Sequence, residues 1–367
     1  MTAARATHGP LAETSLAERV LGRGAAEVAR EVGVSRDAIE LAWSSEIVDL
    51  HVESFIPARL YHYDLLAQHS YRFPLLGRFF GHLDVPRALG GGLTGAMWSI
   101  STNITRRSAK RTDVFAENVG ALKTTLEKSP DIAVVRTHSD FVAARKNGKH
   151  AALLAVQGGN AFESRAFENP GGLITRVTVV HLSNSIFGTT SSPARRGADT
   201  GLTERGREFV RWLDSERIFV DLAHASPRAF WDAVEAHDRT KPLIVTHTGI
   251  ADVHPMWRNI DGKQVRAVAD TGGVVAVIFH AAFLGPSVRD GRAVIDHLEA
   301  AIAAGGEDCV ALGSDYDGFI IPPADLRDGG TGFYKLTQYM LERGWTDTRI
   351  RKVLGANFVR SFAQLRP

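Results

Sequence analysis

Short apolar runs that finish in a polar side chain recur along this chain, and they constrain its fold more than any other feature. IVDLHVES ends with His51 and Glu53, RIFVDLAHA with His224, PLIVTHT with His247 and CVALGSDYDG with Asp315, while AALLAVQGG ends in Gln157. Runs this short, rich in Val, Ile, Leu and Ala and with little alternation, suit strands covered on both faces. Candidate strands fall at 47–53, 93–101, 151–157, 175–181, 217–224, 242–248, 272–279 and 309–315. Helix-like stretches such as FAENVGALKTTLEKS and TERGREFVRWLDSE lie between them. Ser226-Pro227 adds a helix cap and a first-turn proline directly after the run bearing His224. Strands alternating with helices predict an α/β chain folded as a closed (β/α)8 TIM-like barrel, not an open doubly wound sheet. IAVVRTH at 132–138 is a ninth run and leaves the strand count open. A parallel barrel gathers the C-terminal ends of its strands around one mouth, so these distant polar residues are expected to meet there.

The 367 residues fit one large domain with appendages or two modest ones. We read 1–46 as a tail and helical extension and 47–367 as the barrel. Residues 1–10 form the tail. The segment 15–46 predicts two or three short amphipathic helices, with Ser15 as an N-cap and a break and restart at Gly33 and Ser35. A cap on the barrel base is preferred to a DNA-binding helix-turn-helix, because the segment has no strongly basic face. A net charge of +2 and scattered arginines, apart from RRSAKR at 106–111, give no case for a nucleic-acid partner. The single cysteine, Cys309, excludes an intramolecular disulfide and a cysteine-based zinc site, and its apolar setting predicts an inert buried thiol. No secretory h-region is present, and no run reaches the roughly 18 apolar residues of a membrane span. The expectation is a soluble cytoplasmic protein with no membrane partner. The aromatic-rich piece 55–92, with His62, His69 and His82, is expected to fold over the mouth after the first strand. It would select substrate there, or serve as a hydrophobic flap with structural histidines.

His51 and Glu53 share one face of a strand, where an imidazole and a carboxylate can hold a divalent metal, usually zinc. A buried His–Glu hydrogen bond would also account for that pair. His224 and His247 end later strands among small neighbours. Histidines at three equivalent strand ends point to a shared metal or catalytic role, since each buried imidazole needs a partner. Asp315 can touch the metal and accept the proton of an attacking water. Asp317 competes with it on the same face by alternation, although Gly318 beside it suggests a turn. His181, ending TRVTVVH among polar neighbours, can stabilise a developing oxyanion or simply pack on its loop. Arg258 and Asn259, in HPMWRNI, follow His247; the planar fork of Arg258 suits a substrate carboxylate or a loop salt bridge. His280 ends VVAVIFH and points to the mouth as a substrate contact or a pocket wall.

Taken in order, HVES, VQGGNA, TVVHLSN, VDLAHASP, LIVTHTG with WRN, GSDYDG and the terminal LGANFVRSF resemble the membrane (renal) dipeptidase family of zinc peptidases, from about 47 to 363. The resemblance implies a distorted (β/α)8 barrel, usually dimeric, in which two zincs activate a bridging water to cleave dipeptides. It implies that His51 and Glu53 hold one metal and His224 and His247 the other. It further implies that His181 polarises the scissile carbonyl, Arg258 grips the C-terminal carboxylate and Asp315 manages the proton. Two positions depart from the family pattern: His51-x-Glu53 replaces HxD, and Gln157 in QGG replaces the bridging glutamate of EGG. A neutral amide offsets none of the repulsion between two dications. One zinc is therefore the first expectation, two the second and none the third. The leading function is hydrolysis of a dipeptide or related carboxylate-bearing amide. The alternatives are a tautomerase-like modification of a peptide-derived metabolite and a barrel that only binds small carboxylates.

Overall fold

The computed structural model describes residues 14–69, 77–101, 106–164, 166–194 and 197–367. The expected tail at 1–10 and part of the 55–92 segment lie outside the described residues. Nine parallel strands form the sheet: β1 Val48–Val52, β2 Gly95–Ser101, β3 Ile132–Val134, β4 His150–Gln157, β5 Ile174–Thr178, β6 Phe219–Asp221, β7 Ile244–Thr248, β8 Val274–Val277 and β9 Val310–Leu312. β1 pairs with both β2 and β9, and β2 pairs along the length of β4, so the sheet closes on itself. β3 takes residues 150–152 on one edge of β4, and β5 takes the same strand from Leu154 onward. The ninth run is therefore an appended strand, and the remaining eight make the expected barrel. Leu50, Met97, Leu153, Phe219, Ile244 and Ala311 cluster with Phe358 and Phe362 of the helix Asn357–Leu365. Phe219 opens β6 and its ring lies 5.8 Å from Phe358, so this helix seals the end opposite the mouth.

The segment before β1 folds as three helices, α1 Leu16–Leu21, α2 Ala25–Val32 and α3 Arg36–Trp43. Ser15 and Ser35 cap α1 and α3 by accepting from Glu18 N and Ala38 N, and Gly33 ends α2 at φ 76°. Their apolar faces are used: Leu16, Val28, Ile39 and Leu41 are buried. Arg19 donates to Asp131, just ahead of β3, and to the Gly148 carbonyl, just ahead of β4, both at 2.7 Å. Trp43 Nε1 donates to Tyr334 Oη at 2.8 Å, and that hydroxyl donates to the Gly90 carbonyl at 2.7 Å. The extension thus sits toward the N-terminal ends of the strands, as a cap on the base should.

Several strands stop earlier than their apolar runs. His181, His224 and Asp315 stand beyond the last residues of β5, β6 and β9. His224 and Asp315 adopt φ of 65° and 61°, left-handed values that break a ladder. Asp317 and Phe319 follow at 66° and 65°. Simple alternation therefore fails in GSDYDG, and Asp315 and Asp317 face different partners. Asp317 accepts from His82 N at 2.8 Å and from Ser54 Oγ, which ties the loop after β9 to the loop after β1. The latter loop carries two short helices, Phe55–Tyr61 and Val85–Gly90. Asp84 caps the second and accepts from Arg87 Nε at 2.7 Å, while Arg87 also reaches Tyr63 Oη and the Gly81 carbonyl. Of the flap histidines, His69 stacks on Tyr63 at 4.0 Å and His82 is buried against Asp317. Those two are framework residues.

Candidate metal centre

Donor atoms of His51, His247 and Asp315 lie within 4.8 Å of one another, all three residues being buried. It is the one candidate metal cluster among the described residues. β1 delivers His51, β7 delivers His247 and the left-handed turn after β9 delivers Asp315. The His51 and His247 rings stack at 3.8 Å. His51 Nε2 stands 3.1 Å from Glu53 Oε1 and 3.5 Å from Asp315 Oδ1. His51 Nε2 and Asp315 Oδ1 are nevertheless buried without a hydrogen-bond partner among the described residues, as open ligand positions would be. These three donors fit one divalent ion bound by nitrogen and carboxylate oxygen. The resemblance implies His51 and His247 on separate ions; here donor atoms of both fall in one group with Asp315.

Gln157 ends β4 between two imidazoles. Its side-chain nitrogen donates to His181 Nε2 at 2.8 Å and His224 Nε2 at 3.1 Å. Those contacts assign the remaining ring proton of each neutral histidine to Nδ1, and neither Nδ1 has a partner among the described residues. His224 Nε2 also lies 3.0 Å from His247 Nε2. Arg258 is buried; its Nη2 donates to the His247 carbonyl at 2.7 Å, and Nε has no partner among the described residues. Asn259 is spent on the loop: its nitrogen donates to the His254 and Phe283 carbonyls, both at 2.8 Å, and its oxygen accepts from Gly249 N. His280 is half-buried beside Ile321 and packs on Phe283 at 4.5 Å. The structure thus gathers His51, Glu53, Gln157, His181, His224, His247, Arg258 and Asp315, and leaves Asn259 and His280 on the surrounding wall.

Burial dominates the electrostatics. It holds the His224 and His247 imidazoles far below their usual range, the Arg258 charge adding to the effect, and it brings His181 down to about 3. Neutral imidazoles are the form that ligates metals. Burial, then the Glu53 charge, pushes Asp315 well above the carboxylate range. Burial works the same way on Glu53, but the adjacent His51 imidazole, followed by Ser101, outweighs it and keeps Glu53 below that range. Arg258 falls to about 10 through burial.

Sequence reasoning missed three groups beneath this shell. Asp49 accepts from Ser314 N at 2.9 Å and Ser314 Oγ at 2.5 Å, fixing the approach to Asp315. Asp221 accepts from Thr178 Oγ1 at 2.6 Å and Thr246 Oγ1 at 2.7 Å, and Thr246 Oγ1 lies 2.9 Å from His247 Nδ1. Arg176 reaches His51. The signal was present: IVDLHV, IFVDLA and ITRVTVV each hold one charged residue inside an apolar run, and a buried charge demands partners.

A parallel (β/α)8 barrel thus brings two histidines and an aspartate together at its mouth as a candidate metal site. The chain matches the family Membrane dipeptidase (Peptidase family M19) over residues 36–366, and it belongs to that family. It is similar to a metallo peptidase from Rhodobacter sphaeroides, solved with a phosphinate mimic of the dipeptide L-Ala-D-Ala. The TM-score there is 0.78 at 22% identity, over 88% of this chain and 99% of that one. The probable dipeptidase PvdM from Pseudomonas aeruginosa aligns with a TM-score of 0.77 at 16% identity, covering 92% of this chain and 98% of that one. Both likenesses establish the fold. In sequence, the chain is 34% identical over 178 residues to the uncharacterized protein in the pqqA 5' region of Klebsiella pneumoniae, an alignment spanning 46% of this chain and 63% of that protein.

Proposed function

We propose that this chain hydrolyses the amide bond of a dipeptide or a related small amide with a free carboxylate, using one zinc ion. The observation that carries the reading is the buried convergence of His51, His247 and Asp315 with two donor atoms left open. A zinc held there would supply Lewis acidity to the scissile carbonyl and to an attacking water. The chain's own groups divide the remaining work. Asp315, with a raised affinity for protons, receives the proton of the water and returns it to the leaving amine. His181 carries its proton on Nδ1, a donor with no partner among the described residues, and stabilises the oxyanion. Arg258, with Nε unclaimed, binds the substrate carboxylate. Glu53 holds His51 in place and adds negative charge beside the zinc. His280 lines the side-chain pocket. The barrel at 47–367 acts as the catalytic unit, and in solution as a homodimer, which sedimentation would test.

Metal analysis of protein purified without chelator, followed by a dipeptide-library assay with added zinc, tests the proposal. About one zinc per chain together with turnover is expected. Metal near zero with no turnover would sink it. One observation favours a second reading, a barrel that binds or isomerises a small carboxylate without metal: the Gln157 amide already satisfies an imidazole nitrogen on both His181 and His224. That reading predicts carboxylate binding by calorimetry with no change on adding zinc.

A further inference from the structure

β5 carries an arginine whose side chain is fully buried at the candidate centre. Arg176 Nη2 donates to His51 Nδ1 at 2.7 Å and to Ser99 Oγ at 3.2 Å. Nη1 donates to the Val156 carbonyl at 3.1 Å and to Thr178 Oγ1 at 2.7 Å, with Asp221 Oδ2 3.4 Å away. A metal-ligating histidine ordinarily donates from its second nitrogen to a carboxylate or carbonyl, which leaves the first nitrogen's lone pair for the metal. His51 has the opposite kind of partner. A guanidinium offers only donors, so Nδ1 must accept, and the neutral ring carries its proton on Nε2. That is the atom facing Glu53 and Asp315 inside the cluster. Zinc at His51 Nε2 would therefore require either that this proton move to Nδ1, which breaks the contact with Arg176, or that it be lost to solvent, which leaves an imidazolate still held by Arg176.

Charge balance points the same way. Glu53 and Asp315 are the acidic groups facing the centre, Arg176 and Arg258 are the buried cations against them, and Gln157 is neutral. One dication can be accommodated by the carboxylates present. A second would add two positive charges beside two buried guanidinium groups, and Asp221, 3.4 Å from Arg176 Nη1, is already engaged with that arginine beneath the centre.

We infer that Arg176, together with the neutral Gln157, restrains the metal occupancy of this site: by holding His51 in the Nε2–H tautomer and supplying a buried cation, it weakens zinc binding and favours a single, exchangeable ion. Arg176 is a positioning residue, acting on the metal through His51. The inference rests on the metal-centre reading above, and the two can fail separately.

Zinc affinity and stoichiometry measured by chelator competition on the full chain test it. Arg176→Met and Arg176→Gln remove the charge; Arg176→Lys keeps a buried cation that can only donate. The neutral variants should bind zinc at least about tenfold more tightly than the unaltered chain, as expected on deleting a unit charge near a dication. The lysine variant should stay within about threefold. Neutral variants that keep the native circular dichroism but bind zinc no more tightly would overturn the inference while leaving the metal reading intact. Absence of zinc binding in every form would overturn both. A second measurement needs no Arg176 variant to fold: long-range 15N–1H correlation of the histidines in zinc-free protein, with His51 assigned through its loss in His51→Gln. The Nε2–H pattern is expected, and an Nδ1–H pattern overturns the proposal.

Discussion

His224 and Asp315 hold left-handed backbone at the two places where the barrel meets its chemistry. For a residue with a β-carbon that conformation costs on the order of 1 kcal/mol or more, so the surrounding contacts must enforce it. They do: Asp315 N donates to the His51 carbonyl at 2.9 Å, and the His224 carbonyl accepts from Ser191 N at 2.8 Å. Asp315 is also a buried carboxyl beside Glu53. Replacing it by glycine relieves both costs. Asp315→Gly should raise the urea midpoint by an amount worth roughly 1 kcal/mol while lowering kcat/KM at least about 100-fold. Loss of both stability and activity would mean the turn is not strained. Gln157 invites the opposite experiment. A carboxylate there accepts where the amide donates, so it would release the Nε2 atoms of His181 and His224 and add negative charge between them. Gln157→Glu should raise bound zinc above one per chain in elemental analysis and increase turnover. An unchanged metal content would show that Gln157 does not govern the second position.

At the scale of elements, the two loops that frame the mouth are tied by a buried carboxylate, alongside the bond from Gly329 N to the His82 carbonyl at 2.9 Å. Asp317, fully buried, takes hydrogen bonds from His82 N, Leu83 N and Ser54 Oγ. Asp317→Ala would strand these donors at a cost of about 3 kcal/mol, since bonds to a charged acceptor contribute most and unpaired buried donors are penalised. The loop after β1 should loosen with it, so limited proteolysis between 55 and 92 should accelerate several-fold and KM should rise more than kcat falls. A protease pattern identical to that of the unaltered chain would sink this account. The same carboxylate marks where sequence reading reaches its limit. Apolar runs of Val, Ile and Ala located every barrel strand, because burial on two faces writes itself directly into composition. They also located the strand-end residues of the centre. Alternation could not separate Asp315 from Asp317, because the turn leaves the period-two conformation at Asp315. Nor could it find Arg176, whose role depends on a partner 125 residues away in the chain. Long-range partners of buried charges have no local signature beyond the charge itself.

On the scale of the whole molecule, the barrel separates stability from chemistry by end. The centre occupies the C-terminal ends of the strands, while the N-terminal helices and the helix Asn357–Leu365 cover the opposite end. The family match begins at residue 36, inside the segment capped by Ser35, so α1 and α2 lie ahead of it. They are nonetheless integrated, with Leu16 and Val28 buried and Arg19 bound to Asp131 and Gly148. Burying those two apolar side chains contributes roughly 4 kcal/mol, and the exposed Arg19 pair adds little. A chain lacking residues 1–34 retains Ser35, the α3 cap and the Trp43–Tyr334 bond. It should therefore unfold at lower urea by about that amount, bind a hydrophobic dye more strongly through the bared faces of α3, and keep its zinc content and kcat. Coincident loss of zinc and stability would mean that the base and the mouth are mechanically coupled, and the division of labour by end would have to be abandoned.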